Sequence, residues 1–256
     1  MKILCSKIKT TTKILSLSMI AIVLAGVIFI TGSGSVYFGY CYRLVPIYSV
    51  ETKEKKVALT FDAAWGSDKT LKIVETLKNA GVEGTFFLVG FWIDENEDKV
   101  KQIDDAGFDI GTHSESHPKM STLSQTKMSS ELETSMAKIT KITGKPVKFF
   151  RAPFGDYSDT VLNTATNLGL KTIQWDVDTL DWKGLSGQEI FNRVKSSVKN
   201  GSIILCHNNS DYILESLPLI ISYLKDNGYQ MVKLSELVYE KDYIVDNNGL
   251  QKSKQQ

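Results

Sequence analysis

Histidine and cysteine are both scarce in this 256-residue chain, with three of each, and neither sign of charge prevails. Thirty Lys and Arg against 29 Asp and Glu leave a formal net charge of +1. That balance excludes the broad basic footprint of a nucleic-acid-binding domain. Acid is absent before Glu51, while Lys2, Lys7, Lys9, Lys13 and Arg43 all precede it. Between Lys13 and Arg43 there is no charge at all, and the run ILSLSMIAIVLAGVIFI from Ile14 to Ile30 leads into TGSGS. A spanning helix needs about 20 mainly apolar residues, so the uncharged interval is long enough. The lysines before it predict that the N-terminus stays in the cytoplasm and the rest is exported. No A-x-A cleavage site follows the run, so residues 1–42 are read as an uncleaved signal anchor, with a cleaved secretory signal as the alternative. The bulk of the chain is therefore expected outside the cytoplasmic membrane, either anchored to it or secreted. Of the cysteines, Cys5 falls on the cytoplasmic side, Cys41 borders the membrane and Cys206 is alone in the remainder, which excludes an intradomain disulfide.

At 42% hydrophobic and 23% charged, the composition is that of a globular protein. After a short linker over 43–55, β-rich runs alternate with amphipathic segments of helical spacing: VALTFD, GTFFLV, FDIGTH, VKFFRAP, KTIQWDVD, SIILCH and YQMVKL are the runs. Gly81, Gly107, Gly144, Gly169, Gly201 and Gly228 stop the segments between them. Ser186 and Glu189 have capping-box spacing. Seven strand–helix units predict a parallel sheet with crossover helices over 56–242. A distorted, TIM-related (β/α) barrel is the expected architecture, with an open doubly wound sheet as the alternative. In both, chemistry belongs at the carboxyl ends of the strands. Residues 243–256 are polar and without period, and are read as a frayed tail.

All three histidines fall at such strand ends: His113 and His117 after FDIGT, His207 at the end of SIILC. A single histidine at such a place is more often structural than a ligand, but three on one face point to a site. The i, i+4 spacing of His113 and His117 would put both rings on one side of a helical turn, which suits a metal with two nitrogen ligands, zinc by default. Asp62, Arg151, Asp176, Asp178 and Asp181 share the predicted face. Caps and solvated loops explain acids such as Asp176 and Asp178 equally well. An arginine after two aromatics, as in FFRAPFGD, needs a carboxylate partner, and Asp62 would serve.

Taken in order, TFD (60–62), THSESHP (112–118), RAPFG (151–155), DTLDW (178–182) and LCH (205–207) resemble the five motifs of the polysaccharide deacetylases with a NodB-homology domain. Together with the apolar N-terminus, TFDAAWG resembles the branch of spore-forming bacteria linked to cell-wall or cortex peptidoglycan. The resemblance implies hydrolysis of an N-acetyl group on an amino sugar of a cell-wall glycan, dependent on a divalent metal, zinc first and cobalt second. It assigns metal binding to His113 and His117, the general base to Asp62, and its orientation to Arg151. His207 would protonate the leaving amine with Asp181 beside it. The Phe154 backbone N–H would face the developing oxyanion, and Trp182 and Leu205 would wall the acetyl pocket.

One departure matters. Most members carry a second aspartate after TFD as third metal ligand, and this chain has Ala63 there. Asp68 and Ser114 are the substitutes nearest in sequence. Two readings follow: an active deacetylase with a two-histidine site, or a degenerate glycan-binding or scaffold domain of the wall.

Overall fold

The computed structural model describes residues 43–254. The expected anchor lies outside the described residues, and among these no helix is long and apolar enough to cross a membrane. Eleven strands are present: β1 (Ser49–Val50), β2 (Lys56–Ala63), β3 (Thr85–Leu88), β4 (Asp109–Thr112), β5 (Phe149–Phe150), β6 (Lys171–Thr172), β7 (Val177–Asp178), β8 (Ile203–His207), β9 (Gln230–Met231), β10 (Tyr243–Val245) and β11 (Leu250–Ser253). Between them run α1 (Thr70–Ala80), α2 (Gly90–Glu95), α3 (Glu97–Asp105), α4 (Gln125–Thr143), α5 (Asp159–Asn167), α6 (Gly187–Ser197), α7 (Ile213–Asp226) and α8 (Leu234–Leu237). Local chemistry sets the helix ends where the sequence indicated. The Ser186–Glu189 capping box opens α6, and Gly81 and Gly144 close α1 and α4 in the left-handed conformation.

Seven strands pair in the order β6-β5-β4-β3-β2-β8-β7, with β9 added beside the start of β2, and every pairing is parallel. The expected single strand KTIQWDVD is two strands, β6 and β7, which occupy opposite edges of the sheet. Only residues 173–176 join them, a reach of at most about 17 Å. The sheet must therefore curl until its edges nearly meet, which gives the distorted (β/α) barrel and excludes the flat doubly wound alternative.

The seam between those edges is filled by residues expected to be a linker. Ile47 donates its N–H to the Thr172 carbonyl at 3.0 Å and accepts from the Gln174 N–H at 2.7 Å. The expected polar tail is likewise structured: β10 and β11 form an antiparallel pair, and β11 runs parallel to β1. Backbone pairing and the buried Gln251 side chain, which bonds Tyr239 in both directions, supply what apolar periodicity did not signal.

Strand alternation splits the core in two. Leu59, Phe61, Ala63, Phe86, Leu88 and Ile204 pack against the helices. Ala58, Phe87, Phe149, Ile173 and Ile203 fill the barrel interior with Leu234 and Leu237 of α8. Asp62 lies on the interior face of β2, at the top of that column.

Candidate active site

In-register pairing of β2 with β8 sets Asp62 directly beside His207, and β4 ends one residue before His113. The backbone thus gathers three of the expected groups before any side chain is considered. Arg151 follows β5, is fully buried, and donates through Nη1 to Asp62 Oδ1 at 2.8 Å and through Nη2 to the Gln174 carbonyl at 3.1 Å. Its guanidinium carbon lies 4.2 Å from the Phe87 ring centroid, so the cation caps the apolar column beneath it. Burial favours the neutral form of Asp62, but the charge of Arg151 above all, joined by His113 and His207 when protonated, outweighs it and holds the carboxyl below its ordinary value of 3.8. Asp62 is an ionised carboxylate.

His207 carries the complementary pair. Its Nδ1 lies 2.7 Å from Asp181 Oδ1, and its backbone N–H donates to Asp181 Oδ2 at 2.8 Å. Burial lowers the imidazole pKa, while the bonded, charged Asp181 raises it further, for a net shift upward from 6.5. One strand end therefore presents an ionised carboxylate, and its neighbour an imidazole of raised pKa.

The two remaining histidines do not lie on a helical turn. Residues 113–117 form a loop in which Ser114 and His117 are left-handed, with φ of 69° and 58°, and the folded-back backbone brings the rings to 4.9 Å between centroids. Side chains hold this costly geometry. Ser114 Oγ accepts from the His117 N–H at 3.0 Å, and Glu131 of α4 accepts from the backbone N–H groups of Glu115 and Ser116 at 2.9 and 2.8 Å and from Ser116 Oγ at 2.6 Å.

His113 Nδ1 is 2.7 Å from the Arg151 carbonyl. A carbonyl only accepts, so Nδ1 carries the proton and Nε2 has its lone pair free, 3.5 Å from Asp62 Oδ2. Burial is the main cause that keeps both imidazoles neutral, and it takes His117 down to about 4. His117 Nδ1 is buried without a hydrogen-bond partner. Two neutral imidazoles, one with an orphaned nitrogen, fit a borderline divalent cation such as zinc. No group of three or more His, Cys, Asp and Glu placed to hold a metal exists among the described residues. Ala63 packs on the helix side of β2, Ser114 Oγ is already engaged by His117, and Asp68 does not line the cleft.

These groups surround a cleft of about 730 Å³, bordered also by Phe154, Trp182 and Leu205. Every expected site residue thus meets at one place, with Arg151 beneath the floor. Phe154 is left-handed, with φ of 61°. Of the two acids of doubtful role, Asp176 is structural, since its carboxylate accepts from the Ile203 N–H and Ser202 Oγ at 2.8 and 3.0 Å. Asp178 borders the cleft and accepts from the Leu180 N–H at 2.8 Å. Sequence reasoning missed Trp65, Trp175 and the 208–211 loop as cleft residues, although Trp65 lies three positions past Asp62 and Asn208 directly follows the LCH motif. Glu131 gave no sign at all.

An ionised carboxylate, an imidazole of raised pKa beside it and two neutral imidazoles thus face one cleft at the mouth of a (β/α) barrel. Comparison with known proteins names the family. The description "polysaccharide deacetylase" matches residues 49–173. The chain is 33% identical over 200 residues to the peptidoglycan-N-acetylmuramic acid deacetylase PdaA of Bacillus subtilis, covering 76% of each. It is 34% identical to YlxY of the same organism over 76% of this chain, and spans 61% of the length of YlxY. BA3943 of Bacillus anthracis, described as a CE4 family pseudoenzyme, superposes with a TM-score of 0.73 at 36% identity over 75% of this chain and 68% of its own. This chain belongs to the polysaccharide deacetylase family.

Proposed function

We propose that this protein hydrolyses N-acetyl groups from amino sugars of a cell-wall glycan, peptidoglycan being the substrate named for PdaA. The observation that carries the reading is the in-register juxtaposition of two ion pairs of opposite sense, Arg151–Asp62 and Asp181–His207, on adjacent strands of one cleft. A domain that only binds glycan has no use for either.

Asp62, held ionised and hydrogen-bonded at one oxygen only by Arg151, has the other oxygen free to take a proton from the attacking water. Arg151 keeps that carboxylate charged and fixed in direction. His207, whose pKa Asp181 raises, donates a proton in its charged form to the amine as the C–N bond breaks, and without that proton the amine is a poor leaving group. The backbone N–H of Phe154, presented by a left-handed turn behind Pro153, is the donor for the carbonyl oxygen as negative charge develops there. Leu205 and Trp182 supply an apolar wall for the acetyl methyl group. His113 and His117 would hold a divalent ion, zinc or else cobalt, which when bound polarises the amide and makes water a better nucleophile. The apolar N-terminus and the lysines before it support an extracytoplasmic location, tethered to the membrane.

Ala63 favours a second reading, a glycan-binding domain of the wall without turnover, and the description of BA3943 as a pseudoenzyme accords with it. Acetate release from peptidoglycan fragments and chitooligosaccharides, measured with and without added zinc or cobalt, separates the two. Release that depends on Asp62 supports the enzyme; none under any metal, from protein shown to be folded, rejects it.

A further inference from the structure

Trp65, Phe154 and Trp182 are the three most exposed large apolar side chains among the described residues, at 63%, 62% and 59%, and all three border the same cleft. Phe154 and Trp182 have roles in the reaction proposed above. Trp65 has none there, and its exposure is enforced. The carbonyl of the next residue, Gly66, accepts from Trp92 Nε1 at 2.7 Å and from Asn208 Nδ2 at 2.9 Å. Gly66 itself has a φ of +66°, and a Cβ there would lie 2.2 Å from Asn209 Nδ2. The loop carrying Trp65 is thereby locked to α2 and to the loop after β8. Its indole packs against the His117 ring, at 4.7 Å between centroids, and against Phe91, at 6.3 Å. A rigid indole held half out of water forfeits burial that a mobile one would recover.

Strand order β2-β8-β7 places the loops of Trp65 and Trp182 on either side of the His207 strand, two strand spacings or about 10 Å apart. Asn209, Ser210 and Asp211 line the cleft on the Trp65 side. The Asp211 side chain is largely exposed, and its carboxylate is an acceptor for hydroxyl groups.

We propose that Trp65 and the Asn209–Asp211 loop form a second pyranose subsite, in which the apolar face of a neighbouring sugar stacks on the indole while its hydroxyls bond to the loop. The inference rests on the reading of the cleft as a glycan site and deepens it: the ligand is an oligomer of at least two sugars, and Trp65 sets the preference for chain over monosaccharide.

The test is affinity, free of turnover. The full chain is titrated with chitooligosaccharides of one to five sugars and with peptidoglycan glycan strands, for the parent, Trp65→Ala and Trp65→Phe, each checked for native circular dichroism. The parent is expected to gain about tenfold in affinity on passing from one sugar to two or three. Trp65→Ala loses that gain while monosaccharide affinity holds, and Trp65→Phe recovers part of it. An unchanged length dependence in Trp65→Ala, or no length dependence in the parent for either ladder, overturns the subsite. Length-dependent affinity that requires Trp65, with no acetate released, rejects the hydrolase and leaves the subsite standing.

Discussion

Arg151→Met removes a cation of similar length and leaves Asp62 buried beside the apolar column of Phe87 and Phe149. Breaking a buried ion pair on one side costs about 3 to 5 kcal/mol, a large share of the total stability of about 5 to 15 kcal/mol typical of such domains. The loss has a signed pH dependence. In the parent, the Asp62 pKa is below 3.8, so the pair contributes stability above that value and loses it as pH falls toward the folded pKa. In the variant, burial acts without the guanidinium and raises the pKa, so the penalty is greatest at neutral pH and fades as the carboxyl takes up a proton. The gap between the two proteins should therefore narrow on acidification, by up to about 1.4 kcal/mol per pH unit within the window between the two pKa values. Urea unfolding of both proteins at pH 7 and pH 4 measures it. The double variant Asp62→Asn/Arg151→Met, with neither charge, should recover most of the loss. A gap below about 1 kcal/mol at pH 7, or one equal at both pH values, would refute the assignment of a buried, charged pair.

Three further outcomes follow from the same geometry. Asp181→Asn removes what raises the His207 pKa; since His207 must be charged to donate, the alkaline limb of acetate release should move to lower pH, and an unmoved limb would exclude His207 as the acid. Glu131→Ala frees two backbone N–H groups of the histidine loop, so calorimetric affinity for zinc should fall by about 10-fold or more with the melting temperature little changed. Ala63→Asp introduces a carboxylate at a fully buried position on the helix side of β2. Without metal this variant should melt lower than the parent, and added zinc should raise its melting temperature more than the parent's; the absence of any zinc effect would mean that the new carboxylate does not reach the ion.

The strand runs, the capping box at Ser186 and the site histidines were legible because each depends on local chemistry or on position at a strand end. The barrel was expected too, but not the strand break that closes it. KTIQWDVD alternates apolar and polar from Thr172 onward, and nothing in the octapeptide shows that its two ends pair with opposite edges of a sheet. The turn at His113–His117 was misjudged as helical for a related reason: spacing predicts that two rings converge, but a loop with two left-handed residues converges them equally well. The terminal pairing of β1 with β11 escaped because strands of two and four residues leave too short a pattern. Glu131, 14 residues beyond His117, was invisible, since only the packing of α4 brings it under that loop.

The segment around Ile47 has a mechanical consequence. Its carbonyl holds the Gln174 N–H, the Gln174 carbonyl holds Arg151, and Arg151 holds Asp62. Three hydrogen bonds thus run from Ile47 to the Asp62 carboxylate, so a displacement of the Ile47 segment is felt at the carboxylate through the barrel seam. Trimming the protein at the start of β2, where strand–helix repetition begins, would cut that line and leave the carboxylate's anchor without its own.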